Sequence, residues 1–186
     1  MMRMMLAAAA ALTLAACNQA SGPQLPPVQP GAQAPSTQTP QTGVQQGTPT
    51  DEDRTRLIES IGQYLDAYQA QMAPNTAPVQ GMDDQVVAIQ PGTDTRWLVS
   101  LNAGTAYTFL GACDGDCTNV DLELIDMRTG GVVGSDMLGD DYPIVNFTPP
   151  ANGQYIARLL LQNCTVAPCY VGTRVRSQAA GGAAPK

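Results

Sequence analysis

The side chains best suited to chemistry are the acids concentrated between Asp114 and Asp141, where only Arg128 offsets their charge. Crowded carboxylates repel one another, and a hard cation with oxygen ligands relieves that repulsion. The stretch lacks the glycine and the final glutamate of an EF-hand. It still contains a candidate Ca²⁺ loop, made of Asp114, Asp116, Asn119 and Asp121. The alternative is a set of solvated surface acids, and no other cofactor is expected.

A carboxylate pair is the candidate catalytic arrangement. Asp121 and Glu123 alternate with apolar residues, which predicts that both lie on the outer face of a strand. Two carboxylates can hydrolyse a glycoside, but nothing in the sequence singles out a proton donor. The chain has no histidine, which excludes Ser-His-Asp and Cys-His nucleophiles and His-containing metal sites. We therefore expect a protein that is not an enzyme, with a carboxylate-dependent hydrolase as the less favoured alternative.

Four of the five cysteines form two close pairs, Cys113 with Cys117 and Cys164 with Cys169. In an exported chain an even number of cysteines indicates disulfides. We predict bonds within each pair, because each pair brackets a tight loop that contains Gly115 or Pro168. Cross-pairing between the loops and a four-thiolate zinc site are the alternatives.

The fifth cysteine ends an N-terminal signal. Arg3 precedes an apolar run from Met4 to Ala16, which has the length of a secretory h-region. The run ends in Leu14-Ala15-Ala16-Cys17, which resembles the lipobox of bacterial lipoproteins. The resemblance implies a signal peptide over 1–16, removed before Cys17, and acyl chains such as palmitate on Cys17. Asn18 then favours the outer membrane, facing the periplasm or the cell surface. The alternative is an ordinary cleaved signal with a chance cysteine.

The remaining N-terminal part divides into a linker and a helix. Residues 17–50 are rich in Pro, Gln and Thr, which predicts a disordered tether that could extend on the order of 100 Å. Residues 51–73 predict an amphipathic helix with a capping box formed by Thr50 and Asp53. Its apolar stripe either packs on the following domain or docks a partner protein, and consists of Leu57, Ile58, Ile61, Tyr64, Leu65, Tyr68 and Met72.

From residue 84 the pattern changes to short alternating strands separated by turn residues. Eight candidate strands without a helical pattern between them predict an antiparallel β-sandwich or jelly roll over 84–177, followed by a flexible tail over 178–186. The fold class is therefore mainly β. The expected large core residues are Trp97, Tyr107, Phe109, Phe147 and Tyr155.

The run from Leu101 to Phe109, with Gly104 and Tyr107, resembles the paired strands of bacterial pre-peptidase C-terminal domains. Later pieces, Val120–Leu124 and Phe147–Tyr155, continue the resemblance. It implies a non-catalytic sandwich, sometimes with Ca²⁺-binding or polymer-binding ability. We thus expect an envelope module anchored to a membrane, with a protein or polysaccharide partner. The net charge of −7 and the pI of about 4.3 argue against nucleic acid.

Overall fold

The computed structural model describes residues 22–178, so Cys17, the signal over 1–16 and the tail beyond Gln178 lie outside the described residues. The helix is α1 (Asp51–Met72). The strands are β1 (Gln45–Gln46), β2 (Thr76–Pro78), β3 (Gln85–Ile89), β4 (Thr93–Leu101), β5 (Tyr107–Cys113), β6 (Cys117–Asp126), β7 (Val132–Asp136), β8 (Ile144–Phe147), β9 (Gly153–Cys164), β10 (Val166–Ala167) and β11 (Cys169–Gln178).

Two antiparallel sheets form a β-sandwich, which confirms the predicted fold class. Sheet I has the strand order β4-β9-β6-β7. Sheet II has the order β2-β11-β5-β8, and β3 also pairs with β11. All eight predicted strands are present, and several are longer than predicted. In 22–178 no helix is long and apolar enough to cross a membrane.

Alternation along the strands builds the core between the sheets. Every second side chain of β6 and β9 points inward, as at Leu122, Leu124, Leu159 and Leu161, all 1% exposed or less. Sheet II contributes residues such as Phe109, which is fully buried. Of the predicted core aromatics, Tyr107, Phe109 and Tyr155 are buried, whereas Trp97 and Phe147 are partly buried against the core.

Both predicted disulfides are present, Cys113–Cys117 and Cys164–Cys169. Each joins the last residue of one strand to the first residue of a later strand, β5 to β6 and β9 to β11. Cys117 and Cys164 are also register partners across β6 and β9, which places the two bridges side by side. The disulfides therefore brace one end of the sandwich.

Helix α1 covers the outer face of sheet II. It begins with the predicted capping box, in which Thr50 and Asp53 exchange backbone and side-chain hydrogen bonds. Ile61 and Leu65 are fully buried and pack with Leu110 and Ala112 of β5. A Cβ at Gly172 of β11 would lie 2.3 Å from Ile61 Cγ2, so a glycine is required for this close approach. The helix thus packs within the chain, the first of the two alternatives above.

The N-terminal segment, residues 22–50, lies across the outer face of sheet I, where the sequence predicted a disordered tether. Gln29 N donates to Thr129 O at 2.8 Å, and Val132 N donates to Gln33 O at 2.9 Å. Farther on, Gly47 N donates to Ala167 O at 2.7 Å, and β1 pairs with β10 in parallel.

The reason for this difference lies in the sheet beneath. Low apolar content predicts disorder for a segment that must form its own core. This segment forms no core of its own, and its backbone instead forms hydrogen bonds with groups of sheet I and its loops. Its contact is close enough that a Cβ on Gly92 would lie 2.3 Å from Pro40 Cα, and one on Gly130 would lie 2.3 Å from Pro27 O. Both glycines have positive φ, so the two turns meet the segment backbone directly.

The packing of α1 predicts a contrast between two isoleucines of the same helix. We expect Ile61→Ala to lower the free energy of unfolding by about 2–5 kcal/mol, because it leaves a cavity against sheet II. Ile58→Ala is the matched control, since Ile58 is 46% exposed, and should change stability by about 0.5 kcal/mol or less. Urea denaturation of both variants measures this. Equal effects of the two substitutions would contradict the packing described here.

Candidate functional site

Two of the candidate calcium ligands brace loops. Asp114 is buried, and its carboxylate accepts from Tyr170 N at 2.6 Å and from Asp116 N at 3.2 Å. Burial raises the pKa of Asp114, and these backbone hydrogen bonds oppose the rise. Asp116 accepts from Thr165 Oγ1 at 3.0 Å. Together they fix the turn between β5 and β6 next to the disulfides.

The other two candidate ligands lie on β6, and the four do not assemble into a cation site. Asn119 and Asp121 belong to sheet I, whereas Asp114 is hydrogen-bonded to β11 of sheet II. Within 22–178, no three acidic or cysteine side chains are grouped as metal ligands. The geometry therefore gives the predicted calcium loop no support.

Asp121 and Glu123 do lie on the outer face of sheet I, as predicted, but they are not at the surface. They are 2% and 1% exposed. Glu123 accepts from Ser36 N at 2.9 Å, so the N-terminal segment closes directly over it. Strand alternation identifies the face of a side chain, but it does not show whether another part of the chain covers that face.

An ionic cluster that the sequence analysis missed lies beneath the segment and consists of Asp94, Arg96, Glu123 and Arg158. Arg158 Nη1 donates to Glu123 Oε2 and to Ser36 O, both at 2.8 Å. Asp94 accepts from the other side of the same guanidinium and pairs with Arg96 at 2.9 Å. Two arginines and two carboxylates balance one another. The sequence feature that could have indicated this cluster is Arg158 itself, a cation between the apolar residues of β9.

Asp121 lies beside this cluster without an arginine of its own. Its Oδ2 accepts from Gln162 Nε2, and its Oδ1 is buried without a hydrogen-bond partner among the described residues. Burial raises the pKa of Asp121, and the negative charges of Asp136, Glu123 and Asp140 raise it further. The folded protein therefore disfavours the charged form of Asp121, and its side chain is not an exposed ligand.

A partly exposed aromatic surface forms where α1 meets the loop between β7 and β8. We call it the tyrosine face, and it consists of Tyr64, Tyr68, Met137, Leu138 and Tyr142. The ring of Tyr142 lies 6.3 Å from Tyr64 and 5.4 Å from Tyr68, centre to centre. Leu138 is 65% exposed, and Met137 and Tyr64 are also exposed. This gives the surface both rings and aliphatic side chains.

Carboxylates hold and surround the tyrosine face. Asp136 accepts from Leu138 N at 3.2 Å and from Ile144 N at 2.9 Å, and Asp140 accepts from Tyr142 N at 3.1 Å. Burial raises the pKa of Tyr68 and Tyr142, and the charges of Asp136, Asp140 and Asp141 add to this effect. The loop is therefore preorganised, and the rings lie in a negative field. Such an arrangement can bind a cation-bearing surface.

The ionic cluster predicts a large effect of removing its central cation. We expect Arg158→Met to lower the free energy of unfolding by about 3–5 kcal/mol, because it leaves the Glu123 carboxylate buried without its cation. Arg128→Met is the matched control. Arg128 also pairs with a carboxylate, that of Asp126, but its side chain is 78% exposed, so we expect a change of about 1 kcal/mol or less. Chemical denaturation measures both variants, and similar losses of unfolding free energy would refute the distinction between the buried and the exposed arginine.

The position of Asp121 predicts a pH-dependent gain in stability. Because its pKa is raised in the folded state, the wild type loses stability as the pH rises through that pKa. We expect Asp121→Asn, which keeps an acceptor for Gln162, to raise Tm at pH 7 by about 2–4 °C. The advantage should disappear below about pH 4, where the wild-type acid is protonated in both states. A pH-independent difference in calorimetry would disprove the assignment.

Comparison with known proteins gives structural likenesses but no match in sequence. No family of protein sequences matches this chain, and no curated protein sequence matches it. Among solved structures it is similar to PliG of Aeromonas hydrophila, a periplasmic lysozyme inhibitor of g-type lysozyme, at 15% identity and a TM-score of 0.36. The match covers 53% of this chain and 94% of that one. A likeness of this degree does not establish a shared function.

Proposed function

We propose that this chain is a bacterial outer-membrane lipoprotein whose β-sandwich is a non-catalytic binding module of the cell envelope. The anchor is Cys17, which follows the lipobox-like residues Leu14-Ala15-Ala16. Two or three acyl chains hold a protein stably at a bilayer, since each buried CH₂ contributes about 0.8 kcal/mol. The resemblance to pre-peptidase C-terminal domains belongs to this proposal, and the sandwich over 84–177 supports it.

The tyrosine face is the observation that carries the binding role. Tyr64, Met137 and Leu138 are exposed beside the half-buried rings of Tyr68 and Tyr142, and Tyr and Met side chains are typical of protein-binding surfaces. The face borders Asp140 and Asp141. Six arginines in 22–178, at positions 54, 56, 96, 128, 158 and 174, already pair with carboxylates. The excess negative charge favours a cationic protein as the partner over an acidic polysaccharide.

The carboxylate pair does not suit hydrolysis. A glycosidase places its two acids on either side of an open cleft that admits a sugar and water. Asp121 and Glu123 are both buried instead, and Glu123 is bound to Arg158 and to Ser36 of the N-terminal segment. We therefore retain the proposal of a protein without catalytic residues.

Helix α1 contributes to binding only through its exposed edge. The buried half of its stripe, Ile61 and Leu65, packs on sheet II and cannot also dock a partner. Tyr64 and Tyr68 belong to the tyrosine face. The docking role considered for the helix thus becomes a shared surface between the helix and the β7–β8 loop.

Site-specific photocrosslinking tests the binding role. A benzophenone amino acid at position 138 should capture a basic protein in intact envelopes, whereas one at position 28, where Val28 is 42% exposed on the N-terminal segment, should not. Asp140→Asn with Asp141→Asn should reduce the adduct at least fivefold. Glu52→Gln with Glu59→Gln removes the same charge elsewhere and should leave the adduct unchanged. Equal capture at 28 and 138, or an adduct insensitive to both charge changes, would refute the role.

The anchor has its own test. Labelled palmitate should enter the wild-type protein and should not enter a Cys17→Ser variant. The variant should also leave the membrane fraction. Retention of the unlabelled variant with membranes would overturn the anchor but would leave the tyrosine face in place.

A further inference from the structure

The position of the N-terminal segment determines which edge of the sandwich would lie nearest to an anchor at Cys17. The described chain begins at Gly22, and a Cβ there would lie 2.0 Å from Arg96 O. Gly22 has a φ of 110°, so this tight contact suits glycine. The described part of the chain therefore begins against the middle of β4, which is an end strand of sheet I.

Little chain remains between this point and the acylated cysteine. Five residue steps separate Cys17 from Gly22, and fully extended they span at most about 18 Å. A globular unit of about 150 residues has a radius of gyration of about 15 Å, hence a diameter near 40 Å. The link is less than half of that diameter, so it cannot let the sandwich rotate freely above the membrane.

We propose that the β4 edge of the sandwich lies against the lipid bilayer that holds the acyl chains of Cys17. This inference rests on the anchor in the proposed function. The surface at β4 suits the interface: Leu98 is 48% exposed, and beside it a cavity of about 300 Å³ is lined by Pro23, Met82, Trp97 and Val175. Trp97 is partly buried against the core, so Leu98 is the apolar side chain that this edge presents at the headgroup level.

The charges at this edge are mostly compensated. Arg96 pairs with Asp94. Asp83 lies at the cavity and disfavours an anionic surface. The contact is therefore driven by the short link and by apolar side chains, and it should form on a zwitterionic bilayer.

The same geometry directs the tyrosine face away from the membrane. In sheet I, β4 and β7 are the opposite edges of the order β4-β9-β6-β7. The β7–β8 loop, which carries Met137, Leu138 and Tyr142, follows the edge far from the anchor. An anchor at β4 thus leaves the proposed binding surface open to the periplasm or the exterior.

Fluorescence quenching in lipid vesicles tests the orientation, because Trp97 is the single tryptophan of the chain. Lipidated full-length protein is placed on phosphatidylcholine vesicles that contain brominated phosphatidylcholine. In a Trp97→Phe background, Leu98→Trp should be quenched at least twice as strongly as the control Val133→Trp, which lies on β7. Inserting twelve Gly/Ser residues between Ser21 and Gly22 should remove the difference. Equal quenching at both positions before that insertion would overturn the orientation.

A second measurement needs no substitution. On vesicle attachment, backbone amides of wild-type residues 93–101 should exchange hydrogen at least threefold more slowly, while those of residues 132–138 should be unchanged. Equal or absent slowing would overturn the proposal. The mass of the protein identifies acylation beforehand: a chain without acyl groups refutes the anchor, whereas an acylated chain that shows no β4 protection refutes only the orientation.

Discussion

The rest of the structure depends on the burial of Arg158 beneath the N-terminal segment. Removing a guanidinium from water costs several kcal/mol unless carboxylates and further hydrogen bonds compensate it. Asp94 and Glu123 supply the charges, and Ser36 supplies a carbonyl to Arg158 and an N–H to Glu123. The segment is therefore part of the cluster as well as its cover. All four ions lie on strands of sheet I, so without residues 22–50 they would keep their charge partners but lose the Ser36 hydrogen bonds and their cover.

The outer faces of both sheets are covered by segments from the first part of the chain. The N-terminal segment lies on sheet I, α1 lies on sheet II, and the strands between them form the core. The contacts that close these layers join distant positions, as in Ser36 with Arg158, 122 residues apart. The two disulfides close loops of only a few residues, so they brace one end without shortening these connections. Formation of the covers thus depends on long-range pairing, which is slow for chains dominated by such contacts.

The sequence predicted the strands and the helix well, but it did not predict that residues 22–50 cover sheet I. The reason is physical. Alternation identified each strand of the sandwich, and the capping box at Thr50 marked the start of α1. The spacing of the cysteines indicated both bridges. The error was to expect disorder for residues 22–50. Their composition predicts disorder for an isolated segment, but it does not show whether a sheet elsewhere in the chain can bind that segment. The same omission left the burial of Glu123 unpredicted, although a lone Arg158 in an apolar strand already indicated a buried counter-charge. The tyrosine face joins a helix and a loop that periodicity treats separately, so no local pattern could assemble it.

A fixed N-terminal segment changes what a lipid anchor can do for a binding module. A disordered tether of 33 or so residues would let the tyrosine face sample all directions within a large volume. With the segment held on sheet I, the same acyl chains would set both the height of the face and its direction. A partner within reach then meets a surface that is already oriented, and less orientational freedom is lost on binding. The buried cluster around Arg158 would then link stability to the proposed function, because release of the segment from sheet I would also lengthen the link to Cys17 and free the orientation of the face.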